Sequence, residues 1–204
     1  MASHRLPLWL KLAFTLWIAI WAPSYFIKLG WQNYLWVCDL ASFLILVALW
    51  CENRLLMSAQ LLAVFVVGVF WVLDVGSALL FGVHPIGGTE YMFNAEMPLY
   101  FRLLSLFHLF LPLVTVYGVW RLGYDRRGLW LQTALTWIVL PLSLALTDAE
   151  RNINWVQGPF GQPQEALGPL LYLLGLMLVW PIVLYLPTHG VIMMARYLSS
   201  RRPR

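Results

Sequence analysis

A chain of 204 residues that is 61% hydrophobic and only 11% charged cannot dress a soluble domain of its size, whose charged share is ordinarily about a quarter. Aromatic residues make up 16% of it, with twelve tryptophans, and Trp and Tyr favour the membrane–water interface. The formal net charge of +4 comes from residues at the ends of apolar runs, which excludes a basic nucleic-acid surface and leaves an all-α, polytopic membrane bundle, read as one domain over 1–204.

A spanning helix needs roughly 20 mainly apolar residues, and about six segments qualify. The first runs near Leu6–Phe26, with Pro23 near its end. Its basic flank and apolar run are shared with signal peptides, but it is rich in Trp and has no small-x-small cleavage site, so it reads as a retained helix. The second runs near Trp31–Trp50 and stops at Cys51-Glu52-Asn53-Arg54. The third covers Leu55–Phe81. The fourth covers Pro98–Trp120, Pro98 suiting a first turn. The fifth lies near Leu129–Thr147. The sixth starts near Leu167 and continues toward Leu198, with kinks expected at Pro181 and Pro187.

The loops orient these segments. With both termini cytoplasmic, Arg5, Lys11, Arg54, Arg121, Arg126, Arg127, Arg196, Arg201, Arg202 and Arg204 fall inside. Lys28, Arg102 and Arg151 fall outside, so the split of the 13 basic residues is ten to three. Loop bias of this kind sets orientation. It places His84–Met97 and Asp148–Ala166 together on the external face.

The two cysteines, Cys38 and Cys51, belong to one apolar segment. With no CxxC and no Cys/His cluster at zinc spacing, neither a disulfide framework nor a metal site is expected, and no cofactor is indicated.

Ionisable groups inside a span are costly and face a bundle interior or a wet cavity. Asp39, Asp74 and His108 are such groups. At a rise of 1.5 Å per residue they lie about 12, 10 and 15 Å in from the outer edge. Arg102, Ser105, His108, Pro112 and Thr115 share one helix face, as do Asp39 with Ser42 and Asp74 with Ser77. Thr133, Thr136, Ser143 and Thr147 add a weaker stripe. Together they would line a polar pocket open to the external side, with Asn154 and Trp155 at its rim. A histidine beside a carboxylate can serve as a general base, so His108 with Asp39 or Asp74 is the candidate catalytic set. Cys38 is a nucleophile by type, yet neighbouring helical residues point about 100° apart, and a small buried apolar role suits it better.

The strings Leu35-Trp36-Val37-Cys38-Asp39, Leu104-Ser105-Leu106-Phe107-His108 with Leu111-Pro112, Leu122-Gly123-Tyr124-Asp125-Arg126-Arg127, and Asn152-Ile153-Asn154-Trp155-Val156 resemble an uncharacterised family of small bacterial polytopic membrane proteins. That resemblance implies a bacterial inner-membrane location and supplies no activity. A fainter similarity, through Val37-Cys38-Asp39-Leu40 and through His108 before Leu111-Pro112, is to the androgen-induced membrane hydrolases. These cleave fatty acid esters of hydroxy fatty acids with an intramembrane threonine and histidine. Trp36 stands where the catalytic threonine would be, so the resemblance carries over His108 alone.

Three readings are open. The chain handles a lipid or other amphiphile in its pocket, as a hydrolase or acyl-transfer enzyme with His108 as base. It is a non-catalytic binding protein or small transporter. Or it is a structural partner subunit whose polar stripes pack helices. Membrane lipids are partners in every case, and a protein partner is left open.

Overall fold

The computed structural model describes residues 6–200, and among these all regular structure is helical, with no strand. Arg5, Arg201, Arg202 and Arg204, counted above as cytoplasmic, lie outside the described residues. Helix α1 spans Leu8–Leu29, α2 Val37–Trp50, α3 Arg54–Phe81, α4 Leu99–Leu104, α5 Phe107–Leu122, α6 Gly128–Leu146, α7 Pro169–Val179 and α8 Leu186–Ser200. Five segments are long and apolar enough to cross a membrane: α1, α3, α4 with α5, α6, and α7 through α8.

The second expected span is not one continuous helix. Trp31–Leu35 forms a 3-10 turn, Trp36 is extended at ψ 130, and α2 begins only at Val37. The 14 residues of α2 rise about 21 Å at 1.5 Å each. That is shorter than a hydrocarbon core of roughly 30 Å, and α2 stands apart from the five spanning segments as a shorter apolar helix. The fourth expected span is also interrupted. Bonds from Ser105 N to Arg102 O, Leu106 N to Leu103 O and His108 N to Ser105 O tighten the helix between α4 and α5.

Local chemistry sets the ends. Asn53 caps α3 by accepting from Leu56 N at 2.9 Å, as an N-cap side chain should. Gly82 closes α3 in the left-handed region at φ 71, where a Cβ would be strained. The distortion expected at Pro181 and Pro187 takes the form of a π turn over Trp180–Tyr185. Pro181 cannot donate to Met177 O four residues back, and the Trp137 indole N–H takes that carbonyl at 2.7 Å.

α3 is the central helix, packed by α2, α5 and α6. Gly68 permits the closest approach: a Cβ there would sit 2.5 Å from His108 O and 2.5 Å from Pro112 Cγ. Trp21, fully buried, anchors α1 through ring contacts with Tyr25, Tyr34, Phe43 and Phe107. Alternation of the helices puts the segments around 30–36, 82–98 and 147–168 at one end of the bundle, the loop end. The opposite, basic end carries the Lys11–Glu52 and Arg54–Asp125 ion pairs.

Candidate functional site

At the loop end, the break before α2 leaves the first N–H groups of that helix without intrahelical acceptors. Asn154 supplies one. Its Oδ1 accepts from Val37 N at 3.0 Å, and its Nδ2 donates to Leu35 O at 2.7 Å and Ser143 Oγ at 2.9 Å. Asn154 adopts φ 55, a left-handed conformation that asparagine tolerates better than most residues. One buried side chain thus joins the 147–168 segment to α6 and to the start of α2.

Asp39 sits in the first turn of α2, where a helix N-terminus favours negative charge. Asn33 Nδ2 donates to its Oδ2, and Cys38 Sγ lies 3.8 Å from Oδ1. Arg151 in turn donates to Asn33 Oδ1 at 3.2 Å and to Leu29 O at 2.8 Å. Arg151 and Asp39 are thus linked through the Asn33 amide. Ser42, fully buried, donates back to Cys38 O at 3.1 Å.

Asp74, 0% exposed, is held by the 82–98 segment. Ile86 N and Gly87 N donate to Oδ1 at 2.7 and 3.0 Å, and His84 Nδ1 lies 3.0 Å from Oδ2. Thr89 Oγ1 donates to Oδ2 as well. These contacts satisfy the carboxylate and fold the segment back over the end of α3. Ser77, half-buried, stands one turn further along.

The pairing of His108 with a carboxylate does not form. His108 Nδ1 lies 3.1 Å from Ser105 O, and its ring stacks on Phe107 and on Trp71 at 4.0 and 5.3 Å between centroids. Asp74 is instead engaged by His84, Thr89 and the loop amides, and Asp39 by Asn33. The hydroxyl of Ser105 meets Tyr25 OH at 2.7 Å. Tyr91, reaching down from the loop, accepts from Trp71 Nε1 at 3.2 Å. Burial raises the Tyr91 hydroxyl above its ordinary pKa; bonds with Ser105 and Trp71 oppose the shift, and Cys38 and Asp39 nearby add to it. The polar groups of α1, α2, α3, α4 and the loop do gather, but around Tyr25 and Tyr91.

Arg102 donates Nη1 to Met92 O at 3.1 Å, and its Nε is buried with no hydrogen-bond partner. Among the described residues no carboxylate lies within ion-pair distance of it. Trp155 is half-buried against Phe160, its carbonyl accepting from Tyr172 OH at 3.0 Å.

A nucleophile must stand within hydrogen-bond reach of its base, roughly 2.6–3.2 Å. His108 instead faces a backbone carbonyl, and Ser105 is engaged by Tyr25. Two cavities lie elsewhere. One of about 10 Å³ is lined by Val37, Ala41, Leu44, Gln60, Gln132 and Thr136, among others. A groove of about 470 Å³ at the basic end is lined by Leu6, Leu8, Lys11, Trp50, Cys51 and Glu52. Neither is lined by Asp39, Asp74 or His108, so the external pocket expected around them is not one of these. Among the described residues no three His, Cys, Asp or Glu side chains converge.

At the basic end, Asp125 accepts from Arg127 Nε, Nη2 and N, at 3.1, 2.8 and 3.0 Å. These bonds, with the Arg127 and Arg54 charges, hold its carboxyl well below the usual carboxylate range. Comparison with protein-family models, curated proteins and solved structures gave no match, so the site rests on its own geometry.

Several participants carry only weak sequence signals. Gln60 and Gln132 are amides inside apolar runs. Asn33 lies at the start of the second expected span, and His84 and Thr89 sit just outside the third, where polar residues are common and no single one stands out.

Proposed function

We propose that the chain is a six-span protein of the cell membrane, both termini cytoplasmic, that binds an acidic lipid or related amphiphile at its outer rim without turning it over. A bacterial inner membrane is the location that the sequence resemblance implies. The orientation is supported by the described charges. Lys11, Arg54, Arg121, Arg126, Arg127 and Arg196 belong to the basic end, against Lys28, Arg102 and Arg151 at the loop end. The apolar helix α2, joining the loop end to the basic end, supports the sixth span.

The observation that carries the binding reading is Arg102. It lies one turn inside the loop end, half-buried, with one carbonyl contact and no carboxylate. Asp39 and Asp74 are by contrast engaged by their own chain. An arginine at this depth reaches toward the headgroup layer, and its planar fork suits phosphate or carboxylate oxygens. Exposed Leu99, Tyr100 and Leu103 beside it offer contact to an acyl chain. The absence of a base–nucleophile pair among the described residues supports binding over turnover.

The test is photo-crosslinking in nanodiscs with an acidic phospholipid bearing a headgroup-proximal probe. Crosslinks concentrated at Met92 and Leu99–Leu103, and lost in Arg102→Gln, are expected. Crosslinks spread evenly around the rim and unchanged in the variant would leave the structural partner subunit as the better reading. Lipid cleavage above that of Ser105→Ala and Cys38→Ala variants would contradict the non-catalytic half.

A further inference from the structure

Halfway between the two ends, a second buried polar group joins α3, α6 and the π turn. Gln60, Gln132, Thr136 and Tyr185 are each 2% exposed or less. Gln60 Nε2 donates to Gln132 Oε1 at 3.4 Å, and Gln132 Nε2 donates to Thr136 Oγ1 at 3.3 Å and Tyr185 OH at 3.5 Å. Thr136 and Tyr185 share a hydroxyl bond of 2.6 Å. A π turn carries one extra residue, which rotates the rest of the helix about its axis, and such turns recur at functional positions. Here the turn ends at Tyr185 and aims its hydroxyl inward.

A count of groups leaves this cluster incomplete. Gln60 has two N–H donors and one carbonyl oxygen. One donor goes to Gln132. The second donor and the oxygen have no partner among the described residues, and lipid in this region offers none. Three of the four internal bonds are 3.3 Å or longer, so the cluster is loosely drawn together. The cavity of about 10 Å³ beside it is lined by Gln60, Gln132 and Thr136 on one side and Val37, Leu40, Ala41 and Leu44 on the other. A single water needs roughly 10–15 Å³ of such volume and two to four polar partners.

We infer that this cavity is a binding site for one ordered water molecule, held by Gln60, Gln132 and Thr136. The water accepts from the free Gln60 N–H or donates to Gln60 Oε1, and links the amide pair to the hydroxyl pair. The hydrated cluster, rather than the loop-end carboxylates, then ties the π turn to the centre of the bundle. The inference stands apart from lipid binding at Arg102.

X-ray hydroxyl-radical footprinting with mass spectrometry tests it, since radicals form where water sits. Tyr185 and Trp21 are both 0% exposed; the Tyr185 hydroxyl is bonded to Gln132 and Thr136, which line the cavity, and Trp21 is neither a lining residue nor bonded to one. In the wild-type protein Tyr185 should be modified at least fivefold faster than Trp21. In Ala41→Val, which fills the cavity from its apolar side and leaves every polar group in place, that excess should disappear. Tyr185 modified no faster than Trp21, or an excess that survives Ala41→Val in a folded protein, would overturn the proposal. Gln60→Met, which keeps length and removes the amide, should also abolish the excess.

Discussion

Val37 N donates to Asn154 Oδ1 at 3.0 Å, across 117 residues of chain. The start of α2 is therefore capped from another segment, and the break between Leu35 and Val37 is stable only while that segment is docked. Asn154→Ala removes the cap and leaves Leu35 O and Ser143 Oγ without their donor. A lost cap costs about 1 kcal/mol, and an orphaned buried group about 1–3 kcal/mol. The expected outcome is a lower midpoint for thermal unfolding in detergent, together with faster amide exchange at Val37. An unchanged midpoint would remove Asn154 from the structural account.

Asp74 organises the 82–98 segment, and His108 does not. Asp74→Ala should raise hydrogen exchange at Ile86 and Gly87, whose amides it accepts, while His108→Ala should leave both protected. Equal deprotection in the two variants would mean that His108 and Asp74 act together, as the sequence leads one to expect.

Gly68 sets the approach of α3 to α5. Gly68→Ala forces backbone or Pro112 to move, at a cost of about 1–3 kcal/mol for overpacking. Gly76→Ala, where a Cβ meets nothing within 4 Å, serves as the control and should be as stable as the wild type or up to about 1 kcal/mol more stable, since alanine favours a helix interior over glycine. Equal behaviour of the two variants would contradict the packing described.

The Asp125 carboxyl lies below its ordinary value of 3.8 in the folded protein. A depressed carboxylate adds stability above the unfolded pKa, and that stability is lost as pH falls through the folded value. Unfolding midpoints measured downward from neutral pH should therefore fall less in Asp125→Asn than in the wild type once pH drops below about 4. The two curves should run parallel above about pH 5. Parallel curves throughout would show that the Arg127 and Arg54 contacts contribute nothing.

Much of this architecture could be read from the chain because lipid imposes a simple rule: long apolar runs become helices. The ends of α1, α3 and α6 fell within a few residues of the expected positions for that reason. The break at Trp36 was not legible. Trp31–Trp50 is apolar enough to read as one helix, and the residue that stabilises the break, Asn154, lies far along the chain. Depth along a helix is legible as well, since rise per residue is fixed, and it is the ground on which Asp39, Asp74 and His108 are grouped. Partners are not legible. Depth does not fix rotation about a helix axis, and the loops brought in Asn33, His84, Thr89 and Arg151 as competitors for the same carboxylates. The tyrosines at the centre of the site, Tyr25 and Tyr91, were hidden by composition, because a membrane protein carries many aromatic residues at its interfaces for unrelated reasons.

The most direct test of lipid binding at the outer rim is native mass spectrometry of the protein released from detergent with phosphatidylglycerol, with phosphatidylcholine, or with inorganic phosphate. One phosphatidylglycerol retained per chain is expected, with weaker retention of phosphatidylcholine and none of phosphate. Arg102→Gln should lower that retention at least tenfold, and Arg102→Lys should restore part of it. Retention of phosphatidylglycerol unchanged in Arg102→Gln, or equal retention of both lipids by the wild-type protein, would contradict a specific acidic-lipid site at Arg102.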